Sequence, residues 1–211
     1  LIGGQLVHLH CAERGQFPAR PTNDADTVVD VRANPMILNI FTQTLEDLGF
    51  RSAGISAEGR QHRWTRGKAA IDVLLPEGVG ERARGRTGAT GSPTLPTQGG
   101  TQALQRSKVV AVTVAGRHGS VRRPNLVGAL IVKAAAHTKI GDQDPRRHRR
   151  DFLVLAGLIK AADFANEELS KKDRQRLLGI LAAIERDRAL LLEVPGSATA
   201  IARLKLAADL G

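Results

Sequence analysis

A chain of 211 residues can hold one or two domains with a sizeable core, and its 31 Lys and Arg against 21 Asp and Glu give a formal net charge of +10. That balance favours a polyanionic partner such as nucleic acid, while five Phe, one Trp and no Tyr argue against an aromatic platform for stacking bases. A single cysteine, Cys11, excludes an internal disulfide and suits a reducing, cytoplasmic setting; no stretch reaches the roughly 20 apolar residues of a membrane span, and no signal peptide is evident.

The sequence opens Leu1-Ile2-Gly3-Gly4, and a start on Leu rather than Met leads us to expect residues upstream. A helix follows through Gln5, Leu6, Val7, Leu9, Cys11 and Ala12. Paired glycines ahead of a helix let backbone N–H groups approach a phosphate, which the helix N-terminus favours electrostatically. Cys11 lies among the apolar positions of this helix and reads as a packed thiol.

Asp24 to Val31 reads as a strand. Residues at i and i+2 share a face, so Asp24 and Asp26 project together at its start, and Val28, Val29 and Val31 carry it into a core. Two close carboxylates repel. A hard cation such as Mg²⁺ removes that cost and shares its oxygen ligands with substrate phosphates; the alternative is a pair of solvated loop acids. Asn34-Pro35 then starts a helix, with Asn34 as cap, through Met36, Ile37, Ile40, Phe41, Leu45 and Leu48 to a stop at Gly49.

Gln61–Thr65 and Ala70–Leu75 read as strands, antiparallel across Arg66-Gly67. Asp72 is a lone acid in the second of these apolar runs, costly unless paired or metal-bound; a hydrogen-bonded strand-end residue is the plainer reading. Trp64 is a packing residue. His62 and Lys68 either approach a nucleotide or sit at solvated edge positions. From Glu77 to Gly100 the composition is rich in Gly, Thr, Pro and Arg without an apolar period, which reads as a mobile loop. Its Arg82, Arg84 and Arg86 could pair RNA phosphates bidentately, or simply belong to a disordered basic excursion. Val109–Val114 is another strand, bounded by Gly116 and Gly119.

Pro124-Asn125 introduces a helix from Leu126 to His137, whose apolar run Lys133 interrupts. A snorkelling surface lysine is one reading; a lysine reaching a triphosphate is the other. In the stretch from Asp142 to Asp151, Asp144-Pro145 is a helix cap, and Asp142 and Asp144 are structural candidates. Arg146, Arg147, Arg149, Arg150 and His148 form the densest cationic cluster in the chain, suited to holding a polynucleotide or a triphosphate tail. Beyond Phe152 the pattern is helical, with Asn166 expected to cap a helix through Arg188, and Ser197 a last helix containing Ile201, Leu204 and Leu206. Residues 1–123 thus form an α/β core with a mobile loop at about 77–100, and residues 124–211 a helical lobe, with a substrate cleft between.

A glycine pair, Asp-x-Asp on a strand and a third Asp on a neighbouring strand resemble the DNA polymerase β-type nucleotidyltransferase superfamily. The longer motif Arg-x-Thr-x-Asp-x-Asp, from Arg20 to Asp26, resembles the AbiEii-type nucleotidyltransferase toxins, including the mycobacterial MenT group. Lys133 in its apolar helix and Asp151 after the basic segment match the group's later motifs, while the group's further Asp falls at Val154 here. The resemblance covers roughly residues 1 to 165.

It implies an α/β (α+β) fold, a mixed-sheet core with a C-terminal helical lobe, and transfer of a nucleoside monophosphate from an NTP to an acceptor hydroxyl. Asp24, Asp26 and Asp72 would hold Mg²⁺, Gly3 and Gly4 would cradle phosphate, and Lys133 would stabilise the departing pyrophosphate. Asp151 would orient Lys133 or an arginine, or help hold the nucleotide. Thr22 would lie beside the metal pocket and be open to phosphorylation by an antitoxin; its plainer role is to cap the turn into the strand. The MenT group adds, often with pyrimidine NTPs, to the 3′ end of tRNA, which blocks aminoacylation. By that resemblance the chain is a toxin neutralised by a cognate antitoxin. The rival readings are nucleotidylation of a small molecule or a protein, a non-catalytic nucleic-acid-binding module, and a structural partner protein.

Overall fold

The computed structural model describes residues 1–18, 20–138 and 144–210. Its centre is a mixed sheet built from β1 (Asp24–Val28), β2 (Arg51–Ser52), β3 (Arg63–Arg66) and β4 (Ala69–Pro76), in the order β1-β4-β3-β2. β1 runs parallel to β4, β3 antiparallel to it, and β2 antiparallel to β3. The parallel pair needs a crossover, supplied by the stretch that carries α2 (Ile37–Asp47). Regular pairing of β1 stops at Val28, short of the expected Val31, although Val29 and Val31 still enter the core. β3 and β4 are antiparallel as expected, but their turn falls at Gly67-Lys68, one residue later than Arg66-Gly67, because Arg66 still pairs opposite Ala69.

Alternation along β1 and β4 divides the sheet between two cores. Val73 and Leu75 join Trp64, Leu38, Leu45, Val29 and Val31 beneath α2. On the other face Val28 and Leu74 pack against Ile2, Ala103 and Val132. Asp24, Asp26 and Asp72 share this second face by parity, so the acids begin where its apolar cover ends. Met36 donates its N–H to Asn34 Oδ1 at 2.9 Å, but regular helix starts only at Ile37.

The stretch from 77 to 100, expected as a loop, contains a short helix α3 (Glu81–Arg84) and a strand β5 (Pro96–Thr97). β5 pairs Leu75 and Pro76 of β4, the end that β3 leaves unpaired, and the Thr94 hydroxyl donates to the Val73 carbonyl. Next come α4 (Gly100–Gln105), β6 (Ser107–Val114) and β7 (Arg117–Pro124). The last two form a separate two-stranded sheet. Gly119 was expected to bound a strand and instead lies inside β7. Ala115 and Gly116 both have positive φ, 48° and 75°, which suits a two-residue hairpin turn.

The helices α1 (Gly3–Glu13), α5 (Leu126–Ala136), α6 (Pro145–Gly157), α7 (Lys171–Glu185), α8 (Arg188–Glu193) and α9 (Ser197–Ala207) complete the chain. Leu6, Val7 and Cys11 of α1 pack with Leu130, Phe152, Leu177 and Leu204 in one apolar cluster. Burial pushes the Cys11 thiol up to about 11, as befits an unreactive packed cysteine. Asp144 caps α6 by accepting from Arg147 N–H at 3.1 Å, with Pro145 in the first turn. Asp142 lies outside the described residues.

Two caps differ from expectation. Ser170, not Asn166, caps α7, in a reciprocal capping box with Asp173. Gly196 occupies the N-cap of α9, and Ser197 donates its hydroxyl to the Leu191 carbonyl instead. The helix expected to run through Arg188 breaks before it, where Asp187 caps α8. Among the described residues no helix is long and apolar enough to cross a membrane.

Candidate active site

A cavity of about 310 Å³ opens at the acid-bearing end of the sheet, lined among others by Gly3, Gly4, Asp24, Asp26, Asp72 and Lys133. Register explains the convergence. Asp26 lies directly opposite Asp72 in the parallel β1–β4 pair, and Asp24 sits two residues earlier on the same face. Burial, then the charges of Asp24 and Asp72, push the Asp26 carboxyl up to about 6.

Each neighbour of this acid group is itself positioned. The Thr22 hydroxyl donates to Asp24 Oδ1 at 2.7 Å. Gly3 has φ +71°, and a Cβ there would run into the Asp26 side chain; one at Gly4 would lie 2.6 Å from Thr22 Oγ1. The glycine pair therefore lets α1 begin against Asp26 and Thr22, with first-turn N–H groups that the helix leaves without partners.

Lys133 is 2% exposed and donates to Asp151 Oδ2 at 2.8 Å. Arg20 reaches the same carboxylate with Nε at 3.2 Å and Nη2 at 3.0 Å. Burial alone would raise Asp151, but Lys133 and Arg20 outweigh it and hold the carboxyl below its usual range. The apolar helix α5 thus delivers one buried ammonium to the cleft wall, and Asp151 fixes both cations.

Arg63 is the residue that sequence reasoning missed. Its Nε and Nη2 donate to Asp72 Oδ1 and Oδ2 at 2.8 and 2.7 Å, and Nη2 lies 3.8 Å from Asp24 Oδ2. The bonds to Asp72 raise the Arg63 pKa further. A signal was present: a turn at Gly67-Lys68 sets Arg63 opposite Asp72 by register alone. The neighbours of Arg63 differ in placement, Trp64 being fully buried and His62 lining the cavity. Lys68 does not line the cavity.

The basic run on α6 divides. Arg147 lines the cavity. Arg146 pairs with Asp187 at 3.1 Å and Glu193 at 2.9 Å, Arg149 with Asp187 at 3.5 Å, and Arg150 with Glu193 at 2.7 Å. Three of the four arginines are therefore spent on fastening α6 to α8.

The donor set suits a hard cation: three carboxylates share one face, and burial together with the charges of Asp24 and Asp72 raises the pKa of Asp26. Among the described residues no group of three or more His, Cys, Asp or Glu has metal-holding geometry. Arg63 holds both Asp72 oxygens. Asp24 and Asp26 fit the cation on chemistry, and Asp72 is the carboxylate that Arg63 engages.

No family model matches the chain, and no curated protein does. The fold itself has a counterpart among solved structures. It is similar to the crystal structure of an antigenic nucleotidyltransferase-like protein from Paracoccidioides brasiliensis, 17% identical, with a TM-score of 0.51 over 96% of this chain and 83% of that one. The fold is nucleotidyltransferase-like, a mixed α/β sheet flanked by helices.

Proposed function

We propose that the chain transfers a nucleoside monophosphate from an NTP to the 3′ end of tRNA, releasing pyrophosphate, and that it acts as the toxin of a toxin–antitoxin pair. The observation that carries this reading is the meeting of Asp24, Asp26 and Asp72, from two strands, in one cavity with Lys133. In the transfer the acceptor oxygen bonds to the α-phosphorus, the bond to the β-phosphate oxygen breaks, and the hydroxyl proton leaves for a carboxylate or water. Asp24, Asp26 and Asp72 would hold Mg²⁺, which when bound neutralises triphosphate charge and lowers the acceptor hydroxyl's pKa.

The chain's own residues do the rest. The first turn of α1 at Gly3 and Gly4 offers N–H donors to phosphate oxygens. Lys133, Arg20 and Arg147 gather positive charge where pyrophosphate departs, a preorganised field that needs no rearrangement at the moment of reaction. Asp151 is a positioning residue, acting through Lys133 and Arg20. Arg63 holds Asp72 in place, and would have to release that carboxylate for it to meet a cation.

The net charge of +10 supports RNA as acceptor over a small molecule. Thr22 supports control by a cognate antitoxin: a phosphate there would bring a charge of about −1.5 to −2 against Asp24, whose carboxylate its hydroxyl already touches. The test is intact-mass analysis of tRNA after incubation with Mg²⁺ and each NTP separately. Mass gains matching added nucleotides, with pyrimidine NTPs preferred and none with Asp24→Ala, are expected. Unaltered tRNA beside a labelled small acceptor or protein would overturn the tRNA assignment.

A further inference from the structure

The positive charge is concentrated in one interval of the sequence. Between Glu81 and Asp142 there is no Asp or Glu, but ten Lys and Arg. Those ten account for the whole +10, because the remaining 21 Lys and Arg match the 21 Asp and Glu elsewhere. Three of the ten are buried or nearly so, against acids from distant segments: Arg106 on Glu167 and Asp173, Arg123 on Glu13, and Lys133 on Asp151.

The β6–β7 hairpin is different. Lys108, Arg117 and Arg122 are exposed, as is His118, and among the described residues no ion pair joins the three cations to an acid. Lys108 pairs with Arg123 across the ribbon and Val114 with Arg117; Val109 pairs with Arg122 and Thr113 with His118. Directly opposed residues share a face, so Lys108 and Arg117 lie on one face, and Arg122 and His118 on the other. Both faces of the ribbon are therefore cationic.

Its base is anchored next to the acids. Asn125 N–H donates to the Arg106 carbonyl at 2.9 Å, the Leu1 nitrogen to the Arg122 carbonyl at 2.7 Å, and Ile2 N–H to the Asp26 carbonyl at 2.8 Å. From that base, strands of eight residues extend roughly 25 Å at about 3.3 Å per residue. A two-stranded ribbon is marginal by itself, and one carrying unpaired cations on both faces gains nothing from them internally.

We propose that the β6–β7 hairpin is an arm that grips the phosphate backbone of the RNA acceptor, holding its body while the 3′ end enters the acid-lined cleft. This rests on the RNA reading above. Charge complementarity selects the occupant: phosphates repeat at short intervals and can meet cations on both faces, whereas a small acceptor would need no extended arm.

The test measures binding apart from chemistry, by fluorescence anisotropy of a labelled tRNA transcript with the whole chain over a series of salt concentrations. The triple variant Lys108→Ala, Arg117→Ala, Arg122→Ala is compared with a charge-matched control, Lys171→Ala, Arg186→Ala, Arg188→Ala, whose residues are also exposed. The hairpin variant is expected to bind at least tenfold more weakly, and its slope of log K against log salt to fall by about 2 to 3, as for three phosphate contacts. Its KM for tRNA rises while its KM for NTP stays unchanged.

Unchanged affinity and slope, or an equal loss in the control, overturns the arm and leaves the transferase untouched. Wild-type chain that binds tRNA through the hairpin but never extends it keeps the arm and overturns the transferase. Wild-type binding of poly-glutamate as tight as that of tRNA at equal salt overturns the RNA assignment in favour of an acidic protein.

Discussion

Replacing Asp26 with Asn should stabilise the protein while abolishing the proposed transfer. Burial and the charges of Asp24 and Asp72 hold the Asp26 pKa near 6, above the ordinary 3.8. Keeping that carboxylate ionised at pH 8 therefore costs the folded state about 3 kcal/mol, at 1.36 kcal/mol per pKa unit, and Asn removes the charge at almost constant volume. The sign follows from linkage. Because the folded pKa lies above the unfolded one, the penalty is full above about pH 6, shrinks as pH falls through that value, and vanishes below about pH 3.8. Urea unfolding at several pH values is the assay. Asp26→Asn is expected to gain about 2–3 kcal/mol at pH 8 and only about 1–2 kcal/mol at pH 5. An equal or lower stability at pH 8, or a gain that does not change between pH 8 and pH 5, would refute the like-charge reasoning.

Other substitutions probe the neighbours. Arg63→Ala leaves Asp72 without its bidentate partner and should cost about 1–3 kcal/mol without divalent cation; Mg²⁺ should raise the Tm of this variant more than that of wild type, as thermal unfolding will show. Asp151→Asn leaves Lys133 buried without a counter-charge and should cost about 3–5 kcal/mol by urea unfolding, with part regained when Lys133→Met is added. Thr22→Glu, which sets a charge against Asp24, should abolish NTP binding in calorimetry, whereas Thr22→Val should retain it with weakened transfer.

Much of the candidate site was legible because its pattern is local in sequence. Asp24 and Asp26 follow from the two-residue period of a strand, Asp72 from the oddity of an acid in an apolar run, and Lys133 from the same oddity on a helix. What escaped depends on distance or on backbone conformation. Arg146, Arg149 and Arg150 read as a polynucleotide site because their partners, Asp187 and Glu193, lie about forty residues away in sequence. The β6–β7 hairpin escaped because its turn is Ala115-Gly116, and a non-glycine residue with φ of 48° carries no Asn-Gly or Asp-Gly signal. Pairing of β5 with β4 was hidden because a strand of two residues has no period to read. The cap of α7 was readable in Ser170-x-x-Asp173, a variant of the capping box with Asp in place of Glu.

Calorimetric titration of each NTP, with and without Mg²⁺, into wild-type chain and into the Asp24→Ala, Asp26→Ala double variant tests the shared acid cleft most directly. Saturable binding that needs Mg²⁺ and disappears in the double variant is the expected result. Binding that is the same without Mg²⁺, or that survives loss of both carboxylates, would contradict it.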